Sequence, residues 1–136
     1  MFPGVTVVLE DAAHIGHGAI IHCAHIGKNS MVGMNAVVMD NVVLGEECIV
    51  GALSFLKADS RWPRRSLIVG NPAKVIKTVS DDMITWKSKG TKLYQTLPND
   101  CHSHLIPCEP LTEPPSDPPS QETLFQTWNE IKSTDS

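Results

Sequence analysis

Aliphatic residues recur along the first part of this chain at an interval of six. Units start at Ile15, Ile21, Ile26, Val32, Val38, Leu44, Val50 and Leu56, and the one irregular step is from Ile21 to Ile26. Four places after most starts sits a small residue, as at Ala19, Ser30, Ala36, Val42, Cys48 and Ser54, while His25 takes that place in the short unit. A half-buried strand alternates every two residues and a helix every 3.6 or so. A period of six predicts instead a left-handed parallel β-helix, in which three short strands make one triangular coil. The aliphatic and the small residue then point into a narrow prism. Gly16, Gly27, Asn29, Asn35 and Asn41 suit its tight corners, where unusual backbone dihedrals are needed. Ile15 to Leu56 amounts to about two and a half coils.

The pattern changes after the repeat. Leu67 to Lys74 reads as a last strand and a turn. Ser80 then opens a helix with Asp81 and Asp82 in its first turn, where they favour the positive end of the dipole. Met83, Trp86 and Leu93 lie on one face, with Gly90 interrupting. An open solenoid end exposes apolar surface and unpaired backbone, so this segment reads as a C-terminal cap. No such cap precedes the coil at Met1-Phe2-Pro3-Gly4. Six of the ten prolines fall between Pro107 and Pro119, an extended stretch. Leu124, Trp128 and Ile131 follow at helical spacing. The chain therefore divides into a β-helix over 1–79 lacking N-terminal coils, a helical segment over 80–106, and a Pro-rich tail over 107–136 with a short helix at 121–132.

Composition sharpens this picture. The 136 residues carry a net charge of -4, which argues against a dedicated nucleic-acid binder. The charge is segregated: residues 1–56 hold one base against five acids, 57–92 nine against three, and 93–136 one against seven. Only seven residues are aromatic, as a prism too narrow for rings requires. No apolar run approaches the ~20 residues of a membrane span, and no basic stretch followed by an apolar one marks a secretory signal. Cys23, Cys48, Cys101 and Cys108 lack CxxC spacing and read as free thiols of a cytoplasmic protein.

Candidate chemistry is concentrated in His14, His17, His22 and His25. Neutral imidazole is a good Zn²⁺ ligand, although surface histidines on a repeat would look the same. His17 and His22 fall near adjacent corners of one coil. They need not meet on one ion within a chain, but in a trimer of β-helices ligands from two chains can close one site. Cys101, His102 and His104 also offer donors, and a surface turn is their simpler reading.

Gly16-His17-Gly18-Ala19-Ile20-Ile21-His22 resembles the GHxxxxH element of γ-class carbonic anhydrase-like hexapeptide proteins. Val32 to Asp40, Ile68 to Lys74, and the stretch Trp86-Lys87, Gly90-Thr91, Tyr94-Gln95 narrow the resemblance to one branch, that of the phenylacetic acid degradation and carnitine operon proteins, over about residues 1–111. The resemblance implies a homotrimer with zinc at each subunit interface, His17 and His22 being two of three histidine ligands, from different protomers. It implies zinc-hydroxide hydrolysis of a CoA thioester, or hydration of CO₂ to bicarbonate. Lys57, Arg61, Arg64 and Arg65 would meet CoA phosphates, unless they are a solvated basic loop. The family's third histidine precedes a Gly-Phe-Pro stretch. Phe2-Pro3-Gly4 matches that neighbourhood with Met1 ahead of it, so the third ligand is absent from this chain, which looks N-terminally truncated and is not expected to hold a complete three-histidine site. Cys23-Ala24 replaces the family's usual Gly-Cys after His22 and puts a thiol beside the metal position. A CoA-dependent acyltransferase on the same coil and a non-catalytic accessory protein of a CoA pathway are the competing readings.

Overall fold

The computed structural model describes residues 5–117 and 127–134. Its elements are β1 (Val8–Leu9), β2 (His14–Ile15), β3 (Ile20–Ile21), β4 (His25–Ile26), β5 (Met31–Val32), β6 (Val37–Val38), β7 (Val43–Leu44), β8 (Ile49–Val50), β9 (Phe55–Leu56), β10 (Arg61–Trp62), β11 (Ser66–Gly70), β12 (Ala73–Thr78), α1 (Asp81–His104) and α2 (Trp128–Thr134). The strands stack into three parallel faces: β1-β4-β7-β10 on the first, β2-β5-β8-β11 on the second and β3-β6-β9 on the third. This is the parallel β-helix that period six predicts. Strand β12 adds to the second face as the antiparallel partner of β11.

The two inward positions of each unit make the core. Ile26, Val32, Val38, Leu44, Val50, Leu56 and Ile68 are buried, as are Ala36, Val42, Cys48, Ser30 and Ser54. The two buried serines are satisfied by backbone. Ser30 donates to the Gly45 carbonyl at 2.8 Å and accepts from Cys48 N at 3.0 Å, and Ser54 accepts from Gly70 N at 3.2 Å. Trp62 is the exception to a ring-free prism. It stands in register with Leu44 and is only partly buried, on the last coil, where no further ladder strand among the described residues confines it.

The corners differ from expectation in an instructive way. Asn29, Asn35 and Asn41 do adopt left-handed φ, at 53°, 55° and 57°, but so do Ala12, Cys23, Glu47, Leu53, Asp59 and Arg65. Gly16 and Gly27 do not. Their role is close approach, since a Cβ on Gly16 would lie 2.7 Å from Met34 N and one on Gly27 would lie 2.6 Å from Gly45 C. The short unit is explained too. Ala24, not His25, is its buried small residue, and His25 turns outward to Glu10 at 2.6 Å.

Helix α1 runs past Gly90 and also contains Pro98. A mid-helix Gly is unfavourable by about 1 kcal/mol, but here tertiary contacts on both sides of it prevail. The buried face is Met83, Lys87 and Thr91, spaced four apart, with Trp86 and Leu93 half-buried. Ser80 caps the helix through Met83 N. The N-terminal half of α1 follows one column of corners. Arg65, on the last coil, pairs with Asp81 at 2.8 Å. Ser88 bonds Asn29, Lys87 reaches Ala12 O at 2.6 Å and Asn29 Oδ1 at 2.7 Å, and Thr91 meets His14 at 3.0 Å on the first coil. The expected cap is therefore a strap along the coils.

The chain forms two compact units, residues 1–91 and 92–136. In the second, α1 ends at His104, so Cys101, His102 and His104 occupy a helix end rather than a turn. Residues 107–117 have no regular structure. Helix α2 opens at Trp128 because Thr127 and Glu130 form a reciprocal cap, with Thr127 N donating to Glu130 Oε2 at 2.6 Å. Residues 1–4 and the predicted helical stretch 121–126, with Leu124, lie outside the described residues.

Burial of the Lys87 ammonium lowers its pKa from 10.5 to about 8. The folded chain thus binds this proton less tightly than the unfolded chain, and stability must rise with pH between about 8 and 10.5. The neutral amine keeps two N–H groups for its two acceptors. A gain on the order of 1–2 kcal/mol is expected in urea titrations across that window, and Lys87→Met should flatten the slope.

Candidate functional site

The four clustered histidines have four different surroundings. His14 is half-buried under α1 against Thr91, and burial lowers its pKa. His25 bonds Glu10, whose carboxyl is held below its usual range chiefly by that contact. His17 is exposed at the corner between the second and third faces. His22 is exposed at the end of β3, where its Nδ1 lies 2.9 Å from Asp40 Oδ1.

The His22 surroundings come from the irregular step. Pairing of β3 with β6 aligns Ile21 with Val38, and pairing of β4 with β7 aligns His25 with Val43. Three residues join β3 to β4, but four join β6 to β7. His22 therefore stacks over Met39 and Cys23 over Asn41, as Asn41 N to Cys23 O at 2.9 Å shows. Asp40 is left without a counterpart. Its carboxylate meets both His22 and the Cys23 thiol, and its pKa is lowered mainly by the hydrogen bond from His22. One donor atom each from His22, Cys23 and Asp40 lies within 4.8 Å of the others. His17 is not among them. Asp40 escaped sequence reasoning, although the five-residue step marked the place.

An apolar row runs beside this cluster. Ile20, Val37 and Phe55 are in register on the outer side of the third face. At its adjoining corner Met34 and Leu53 project, with 55% and 72% of their surface exposed. His17 and His22 bracket the upper end of this row in sequence, one before β3 and one after it. Ile20 is exposed and Val37 and Phe55 are half-buried, and contiguous outward apolar surface of this kind marks interaction sites.

The four basic candidates are spread along the last coil. Lys57 and Arg61 are exposed. Arg64 pairs with Glu47 at 3.1 Å, and Arg65 with Glu47 at 2.8 Å and with Asp81. Arg65 thus ties α1 to the coil. Cys23, Cys48, Cys101 and Cys108 are all free, and burial raises the pKa of the Cys48 thiol. Among the described residues no helix is long and apolar enough to cross a membrane.

Comparison with known proteins agrees with the coil. The family model described as bacterial transferase hexapeptide (six repeats) matches residues 23–58. The carnitine operon protein CaiE of Escherichia coli (strain K12) is 49% identical over 108 residues, covering 79% of this chain and 55% of that protein. CaiE of Proteus sp. (strain LE138) is 41% identical over 118 residues, covering 87% and 60%. The crystal structure of a hexapeptide transferase family protein from Anaplasma phagocytophilum matches with a TM-score of 0.66 at 30% identity, over 69% of this chain and 57% of that one. The chain spans a little over half the length of the curated relatives it matches. Its repeat, its coil and these likenesses together make it a hexapeptide-repeat protein related to the carnitine operon protein CaiE.

Proposed function

We propose that this chain takes part in metal-assisted hydrolysis of a CoA thioester, or in the related hydration of CO₂, at a zinc site built around His22 between copies of the chain. The observation that carries the reading is the position of His22 beside the outward row Ile20, Val37 and Phe55. A second copy covering that row would bury His22 and His17 in the contact, where a homotrimer would put a site between subunits. The donor chemistry fits zinc. An imidazole, a carboxylate 2.9 Å from it and a thiol stand together at His22, Asp40 and Cys23. Zinc in such a site supplies Lewis acidity and draws the pKa of water toward neutrality.

The chain's own residues supply orientation and exclusion. Asp40 holds the ring of His22 before any metal binds, and the apolar row keeps bulk water from the contact. Lys57 and Arg61 are exposed for the phosphates of CoA, whereas Arg64 and Arg65 are engaged by Glu47.

Zinc-dependent hydrolysis of an acyl-CoA, measured as thiol release, is the expected activity. It should disappear with a chelator, return with zinc and fall at least about 100-fold in His22→Ala. Metal-independent transfer of the acyl group to an acceptor would favour the second reading, CoA-dependent acyl transfer. The similarity to the Anaplasma hexapeptide transferase family protein supports that alternative. CoA binding without either activity would favour an accessory role.

A further inference from the structure

We infer that His22, Cys23 and Asp40 form a metal site complete within one chain, selective for a borderline-soft divalent cation such as Zn²⁺ or Co²⁺. It rests on the reading above only in that His22 is a ligand, and it departs from that reading in taking the other donors from the same chain. These are a thiolate and a carboxylate of the same chain, with no requirement for His17.

The argument begins with the missing residue between β3 and β4. It brings Cys23 over Asn41 and leaves Asp40, in an ordinary corner, with no residue in register above it, so that its carboxylate meets the side chains of His22 and Cys23 instead. The backbone on each side is clamped, by His22 N to Val38 O at 2.9 Å and by Asn41 N to Cys23 O at 2.9 Å. Two ligands are adjacent in the chain and the third is set by the coil stack, so little ordering remains to be done on binding.

The distances suit the ion. Tetrahedral zinc bonds of about 2.0–2.3 Å hold donor atoms about 3.3–3.6 Å apart. The imidazole and carboxylate are now 2.9 Å apart and need only part slightly. All three donors lie within 4.8 Å of one another, so none has to close by more than about 1 Å. One nitrogen, one sulfur and one oxygen is a donor set for zinc rather than for magnesium or calcium, which take oxygen alone. Three protein ligands leave the fourth tetrahedral position open, as in catalytic zinc sites. Binding converts the Cys23 thiol to thiolate and releases its proton to solvent, while His22 carries its proton on the nitrogen away from the metal.

The test is Co²⁺ titration of the metal-free 136-residue chain carrying Cys101→Ser and Cys108→Ser, which removes the two exposed thiols elsewhere. One Co²⁺ per chain with a near-ultraviolet sulfur-to-cobalt charge-transfer band is expected, displaced by Zn²⁺. Cys23→Ser should abolish the band. Asp40→Asn should weaken binding more than about 100-fold, beyond what loss of an outer hydrogen-bond partner causes. His17→Ala should leave band and affinity unchanged. Far-ultraviolet circular dichroism checks that each variant keeps the coil. Zinc protection of Cys23 from alkylation, read by mass spectrometry, gives a second measure that needs no variant. Binding lost in His17→Ala and His22→Ala but kept without a sulfur band in Cys23→Ser would overturn this inference and leave the proposed function standing. No metal binding at all, or binding indifferent to His22, would remove both.

Discussion

Replacing Gly27 by valine is expected to leave the chain without a stacked coil. Gly27 is buried and its N donates to Leu44 O at 2.8 Å. A Cβ there would lie 2.6 Å from Leu44 O, 2.6 Å from Gly45 C and 2.8 Å from Glu46 N, all backbone atoms of the coil below. Neighbouring strands stand about 4.8 Å apart in the ladder direction. The coils cannot part at one corner without breaking ladder bonds on either side. Backbone dihedrals are not the issue, because Gly27 is absent from the left-handed positions. The expected loss exceeds about 4 kcal/mol, comparable with the whole stability of a small domain. Far-ultraviolet circular dichroism and urea titration would read it. A folded Gly27→Val with a near-normal urea midpoint would mean that the stack yields at its corners.

Leu44→Ala ranks second. Leu44 is buried on the first face, stacked between Ile26 and Trp62 in register. Removing its three outer carbons leaves a hole walled by other coils. Elsewhere a helix can shift to fill such a hole. Here the walls are backbone ladders at fixed spacing, so relaxation is small and the loss falls in the upper part of the usual range, about 3–5 kcal/mol. Urea unfolding at one protein concentration gives the number, since association between copies would make the midpoint concentration-dependent. A loss below about 1 kcal/mol would show that the prism closes around alanine.

The coil itself was legible because each unit contributes the same two inward positions. Val32 and Ala36, Val38 and Val42, Leu44 and Cys48 recur at six and are buried. Ser80 as a helix cap was equally legible, being a local hydrogen bond. Gly90 misled because a local propensity of about 1 kcal/mol is outweighed by the docking of Lys87 and Thr91 nearby. Gly16 and Gly27 misled for a different reason. Their small size answers to a neighbour eighteen places away, at Met34 and Gly45, rather than to their own dihedrals. Arg65 is engaged by two carboxylates from separate parts of the chain, a pairing that no local spacing shows. Of the candidate site, His22 and the neighbouring Cys23 are visible in the sequence. Asp40 passed as part of a motif, since nothing local connects it with a histidine eighteen residues earlier.

The sequence by itself determined the architecture of this protein. Period six, two inward residues per unit and a break in period at Ile21 to Ile26 are properties of the linear chain, and hydrophobic burial reads them directly. The tertiary structure alone decided what the exposed residues do. Stacking register set Asp40 against His22 and Cys23, strapped α1 to the corners through Lys87 and His14, and gathered Ile20, Val37 and Phe55 into one outward row. The physical reason is that outward positions carry no periodic constraint. Their neighbours are fixed by how many residues each corner spends, and one residue fewer between β3 and β4 brings Asp40 against His22 and Cys23 while the ladder on either side keeps its register.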